Sequence, residues 1–174
     1  VPMHATPHER QIEVYAPYVA EMVRQQMIER FGGDVLSKGY HVTTTIDPAL
    51  QAAADKAVMD GLRVYDHRHG WRKPEQRVEI PAGADAKAIA GLLRGTPAQG
   101  GLLPAVVTGN EGGQLRVVLA DGSELGLAGS AISWTGKSTS SIAQRGEVVR
   151  VRRLPSDKPD AAPQWAIDQL PRGQ

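Results

Sequence analysis

The chain has 174 residues, 41% of them hydrophobic and 5% aromatic, and 20 Lys and Arg face 19 Asp and Glu for a formal charge of +1. That balance excludes a wholly disordered chain, in which low hydrophobicity accompanies high net charge, and it gives no basic excess for nucleic acid. No run approaches the roughly 20 apolar residues of a bilayer span, and the absence of cysteine excludes disulfides, thiolate metal sites and a cysteine nucleophile.

Residues 1 to about 16 read as extended chain, with Pro2 and Pro7 and no sustained period. Pro and His stand where a signal peptide needs an apolar run, so none is read there. Pro17 opens a helix at the position where its missing N–H is harmless, and Val19, Met22, Val23, Met27 and Phe31 recur at helical spacing until Gly32-Gly33. Tyr40 to Ile46 alternates as a strand. Asp47 then caps, and Pro48 begins, a second helix carried by Leu50, Ala53, Ala54, Ala57, Val58 and Leu62 and ending between Leu62 and Tyr65. The stretch from Tyr65 to Pro81 reads as a polar junction, and Asp85 to Leu93 as a short helix.

After Leu102 short β-rich runs alternate with turns. Strands are expected at Leu103 to Thr108, Gln114 to Leu119, Ser123 to Leu127, Glu147 to Leu154 and Trp165 to Leu170, and Asp121-Gly122 is a hairpin signal. Ala128 to Trp134 reads as an irregular or helical piece between the third and fourth strands. The predicted class is α+β, mainly β with flanking helices: a five-stranded OB-type barrel over residues 76–174, preceded by a helix–strand–helix segment over residues 1–75. The strand at 40–46 has no strand neighbour in sequence, and its backbone groups need partners. The barrel's edge could supply them; a sheet completed by further chain is the preferred reading, which makes this sequence read as a fragment.

Motifs for catalysis and cofactors fail on inspection. Ala131-Ile132-Ser133-Trp134-Thr135-Gly136-Lys137-Ser138 has the letters of a relaxed phosphate loop, but no apolar strand leads in and no amphipathic helix leads out. His67, His69 and Asp66 lie close in sequence with no third and fourth ligand of His or Cys type beside them, and Pro7 spoils a helical pairing of His4 and His8. No serine stands in Gly-x-Ser-x-Gly or Ser-x-x-Lys, the single Asn110 excludes Ser-x-Asn, and no Lys-Thr-Gly occurs. No catalytic, cofactor-binding or metal-binding residue is therefore assigned. A basic cluster remains, Arg150, Arg152 and Arg153 with Arg116, and alternation puts Arg150 and Arg152 on a solvated face opposite Val149 and Val151. These four are the candidate partner-docking surface. An autonomous OB module binding single-stranded nucleic acid is the alternative. Beyond residue 101, however, the only aromatics are Trp134 and Trp165, read as core plugs rather than stacking platforms.

Three strings carry a family resemblance. Ala16-Pro17-Tyr18-Val19-Ala20-Glu21-Met22-Val23-Arg24, Gly39-Tyr40-His41-Val42-Thr43-Thr44-Thr45-Ile46-Asp47-Pro48-Ala49-Leu50-Gln51 and Tyr65-Asp66-His67-Arg68-His69-Gly70-Trp71-Arg72-Lys73-Pro74-Glu75 resemble segments of class A penicillin-binding proteins. They lie between the glycosyltransferase domain and an inserted OB domain. The resemblance implies a non-catalytic linker and accessory OB domain of a bifunctional peptidoglycan synthase, anchored in the inner membrane of a Gram-negative bacterium with this part in the periplasm. It implies as partners the parent's glycosyltransferase and transpeptidase domains and an outer-membrane lipoprotein activator. It carries over no catalytic residue and no cofactor, and this fragment makes no membrane contact of its own.

Overall fold

A computed structural model of the chain describes residues 14–155 and 162–172, in two compact units that divide between Val58 and Met59. The His4/His8 pair and the expected N-terminal extended stretch lie outside the described residues, apart from the last few of the stretch.

In the first unit, helix α1 (Pro17–Phe31) ends at Gly32 and is followed by a 3-10 turn, Gly33–Ser37. A turn at Lys38-Gly39 then leads into residues 40–47, which have no regular secondary structure, with the Tyr40 ring stacked on Phe31 at 5.4 Å. Helix α2 (Pro48–Arg68) starts where expected, because Asp47 Oδ1 accepts the free N–H groups of Ala49 (2.8 Å) and Leu50 (3.0 Å). The strand expected at Tyr40 to Ile46 is not one: the segment joins no ladder among the described residues. Among its described residues the unit also lacks a core. Val35 alone is buried, while Tyr15, Tyr18, Met22, Phe31, Leu36 and Leu50 are at least half exposed.

The second unit is an antiparallel sheet with short helices. Its strands are β1 (Gln76–Arg77), β2 (Leu103–Glu111), β3 (Gln114–Leu119), β4 (Glu124–Leu127), β5 (Glu147–Arg153) and β6 (Trp165–Asp168). Hydrogen-bonded order runs β1-β5-β2-β3-β4, with β6 sharing with β1 the free edge of β5. The expected five-stranded barrel is therefore a six-stranded open sheet. Along the path β6-β5-β2-β3-β4 every neighbour is antiparallel, so β4 and β6, the pair that would close it, run parallel and could close it only through a parallel ladder. With four residues each, these two share no ladder.

Both hairpins obey turn chemistry. Gly112 (φ 57°) and Gly113 (φ 74°) form the two-residue turn between β2 and β3, where positive φ at both positions matches the sheet's twist. Between β3 and β4, Asp121 accepts the Ser123 N–H at 2.8 Å, and the bonds from Ser123 hold its carboxyl below the usual carboxylate range.

Three Val-Val pairs explain the packing. One member of each, Val107, Val117 and Val149, enters the concave core with Leu115, Leu127, Ile142, Ile167 and Trp71. The other, Val106, Val118 and Val148, lies on the convex face beneath helix α3 (Ala86–Gly91), against Ile89, Ala90 and Leu93. Successive side chains point to opposite faces, so a strand buried on both sides reads as consecutive rather than alternating apolar residues. Burial of each such valine contributes about 1.5–3 kcal/mol. Asp85 fixes α3 by accepting the Ala88 N–H at 2.8 Å.

Candidate functional site

The chain enters and leaves the sheet unit through one neck. The last turns of α2, which run three residues past the expected end, and the segment Gly70 to Glu75 lie against β5, β6 and the chain leaving β6. Alternation along β6 sends Ile167 into the core and Asp168 to the opposite face, where it is 1% exposed.

Asp168 is the hub. His67 Nε2 lies 2.9 Å from its Oδ1, and since a carboxylate only accepts, Nε2 carries the proton of that bond. The Nε atoms of Arg63 and Arg152 lie 3.0 and 2.9 Å from Oδ2. Their N–H groups are not aimed at it, so Arg152 Nε and Oδ2 pair as charges without an aligned hydrogen bond. Two residues of α2, Arg63 and His67, and one of β5, Arg152, thus converge on a single buried carboxylate. The His67 ring lies flat on Trp134, centroids 3.8 Å apart and planes 8° from parallel. Trp134 donates its indole N–H to the Ile167 carbonyl (2.9 Å) and meets the edge of Trp71, whose own indole donates to Ile142 O at 3.2 Å.

A second set of pairs closes the neck. Arg72 binds the buried Asp66 and the Leu170 carbonyl, and its backbone N–H donates to Gln169 Oε1 at 3.1 Å. Gln169 returns a bond to Gly70 O at 3.0 Å. Arg150 is 4% exposed; its fork grips both oxygens of Glu75 at 2.9–3.0 Å and donates to Pro97 O at 2.7 Å. Bidentate guanidinium–carboxylate pairs are geometrically specific, and a buried one fixes register more than it adds stability.

The four expected docking arginines are not one surface. Alternation did put Arg150 and Arg152 on the convex face, but that face is covered: Arg150 is buried on Glu75 and Arg152 is tied to Asp168, because the neck packs there. Arg116 and Arg153 are exposed, on β3 and at the end of β5. Trp134 and Trp165 pack half-buried against the core, as plugs. Sequence reasoning missed Asp168, Glu75 and Arg72, and weighed Asp66 only as a metal ligand. The signal was the density of charged residues at the start of the expected junction Tyr65 to Pro81, whose first four residues are helix.

Little chemistry is available at this neck. His67 and Asp168 make the orienting half of a nucleophile triad, yet no hydroxyl bonds to His67 among the described residues; its face is occupied by an indole. His67 and His69 part company, the second bonding Tyr65 O at 2.8 Å, and no described group of three or more His, Asp or Glu is arranged to hold a metal. Residues 131–138 lie in 3-10 turns, Gly129–Ala131 and Ser133–Thr135, before the one-turn helix α4 (Thr139–Ile142). The strand–loop–helix geometry of a phosphate loop is not built. No described helix is long and apolar enough to cross a membrane.

An open OB-like sheet carried on a charged, histidine-containing neck defines the class: the chain belongs to the penicillin-binding protein OB-like domain family, whose model matches residues 71–172. Over nearly all its length it is similar to penicillin-binding protein 1A. It is 35% identical over 164 residues to that of Pseudomonas aeruginosa, covering 87% of this chain and 20% of the relative. To that of Escherichia coli K12 it is 33% identical over 183 residues, covering 97% and 21%. The 2.6 Å crystal structure of penicillin-binding protein 1A from Haemophilus influenzae matches with a TM-score of 0.73 at 34% identity, over 93% of this chain and 23% of that one. The chain spans about a fifth of the length of the curated relatives it matches.

Proposed function

We propose that this chain is a non-catalytic linker and accessory domain of a bifunctional peptidoglycan synthase in the periplasm of a Gram-negative bacterium. In this reading residues 1–75 connect glycosyltransferase and transpeptidase domains, and residues 76–174 dock an outer-membrane lipoprotein activator or a neighbouring domain. The observation that carries it is the contrast between the two units. The first has, among its described residues, a single buried hydrophobic residue, Val35, and a Tyr40–Ile46 segment with no ladder, so in this reading it is completed by other chain. The second has a full core and seats the end of α2 on it through Asp168.

The test is made on the full-length protein with residues 71–172 replaced by a short Gly/Ser linker. Covalent labelling by a fluorescent penicillin should persist while stimulation by the activator is lost. Stimulation that survives the replacement sinks the docking role. Penicillin labelling of the 174-residue chain alone would sink its non-catalytic assignment.

A further inference from the structure

The neck holds a cavity of about 260 Å³. Trp71, Pro74 and Leu170 give it an apolar floor, and its cationic lining (Arg72, Lys73, Arg150, Arg172) outnumbers its two carboxylates, Glu75 and Asp168. Which of these charges are free decides what the cavity accepts. Arg72 is given to Asp66 and Leu170 O, and Arg150 to Glu75 and Pro97 O. Asp168 is matched by Arg63 and Arg152. Both wall carboxylates are thus already neutralised. Lys73 and Arg172 are left, both exposed and, among the described residues, without an ion-pair or hydrogen-bond partner. They set a positive mouth over an apolar floor.

We propose that this cavity receives an acidic side chain from an extended segment of a protein partner. Its carboxylate lies against Lys73 and Arg172, and an adjacent aliphatic side chain rests on the Trp71–Leu170 floor. Charge complementarity selects the acid, and the floor selects a peptide over a free inorganic anion, which would leave the apolar surface uncovered. The proposal rests on the docking role above and adds its site and chemistry. It also relocates the docking cations, since Arg150 and Arg152 are committed within the fold.

The experiment uses the full-length protein and a fluorescein-labelled hexapeptide of alternating Glu and Leu, read by anisotropy at low salt, where a charge-dependent contact is least screened. Saturable binding is expected, weakened at least about tenfold by the double variant Lys73→Glu/Arg172→Glu, as charge reversal at an interface requires. Arg116→Glu/Arg153→Glu should leave it within about twofold, because those cations lie outside the cavity. Should the reversal variant misfold by circular dichroism, Lys73→Ala/Arg172→Ala carries the same test with a smaller loss. Equal binding by wild type and a folded variant overturns the proposal. So does full displacement by inorganic phosphate or preferential binding to phosphatidylglycerol vesicles, each of which would assign a different anion. Failure of the peptide to bind, with activator stimulation still dependent on residues 71–172, removes the cavity and leaves the docking role. Peptide binding in a protein whose stimulation ignores those residues does the reverse.

Discussion

His67 lies face to face on Trp134 at 3.8 Å and turns its Nε2 to Asp168 at 2.9 Å, so a residue of α2 is held at once by a core tryptophan and by the last strand. The contact joins apolar packing to a buried charge. It explains why the string around His67 is dense in polar residues and yet belongs to the fold.

Trp134→Ala removes the stack on His67, the edge contact with Trp71 and the donor to Ile167 O together. Loss of a large aromatic from a packed site costs about 3–5 kcal/mol, and the lower end applies because Trp134 is only half-buried. Trp134→Phe keeps most of the packing but leaves the Ile167 carbonyl without its donor, a loss of about 1–2 kcal/mol. Urea unfolding followed by circular dichroism checks both, with the Ala variant expected to fall well below the Phe variant.

Asp168→Asn keeps the shape of the hub and removes its charge, leaving Arg63 and Arg152 facing a neutral amide. Breaking a buried pair by removing one partner costs about 3–5 kcal/mol; here about 3 kcal/mol is expected, since both arginines keep some contact with water. Hydrogen exchange should show the loss first in the amides of residues 59–68, which lose their anchor on β6.

Glu75 and Arg150 should behave as a unit. Glu75→Gln alone strands a guanidinium that is 4% exposed, whereas Glu75→Leu with Arg150→Met removes both charges and keeps the volume. The double variant is predicted to be more stable than Glu75→Gln by at least about 1 kcal/mol, as for other buried pairs replaced by apolar side chains. A double-mutant cycle on denaturant midpoints measures the coupling.

Gly146, in the turn just before β5, has φ 85°, donates its N–H to Val107 O at 2.8 Å and accepts from Val78 N at 2.7 Å. A Cβ at this position would stand 2.6 Å from the Val78 carbonyl, which is backbone and cannot swing away. Gly146→Ala therefore combines a left-handed conformation, about 1–2 kcal/mol for a non-glycine residue, with a backbone clash. Its melting temperature should fall further than that of Gly95→Ala, where a Cβ meets open space.

Much of this architecture is legible in the residues. Pro17, Asp47-Pro48 and Asp85 mark helix starts that the structure keeps, because capping is a local interaction that needs no tertiary knowledge. Asp121-Gly122 does the same for its hairpin. The Val-Val pairs give the strands but hide the covering of the convex face by α3, since consecutive apolar residues do not say what lies on the second side. Closure of the barrel was not legible either, because it depends on whether β4 and β6 meet over four residues. At the neck, alternation placed Arg150 and Arg152 on the correct face and gave no hint that Glu75 and Asp168 wait there. Those partners lie 75 and 16 residues away, and only the fold brings them together.

The central proposal, that residues 59–172 form an accessory body through which a partner acts, is met most directly by hydrogen exchange on the full-length protein with and without the proposed outer-membrane lipoprotein activator. The account predicts slowed exchange within residues 59–172, strongest in Trp71 to Glu75 and in Gln169 to Arg172 around the neck cavity. Unchanged exchange throughout 59–172, with slowing confined to the rest of the protein, would contradict it.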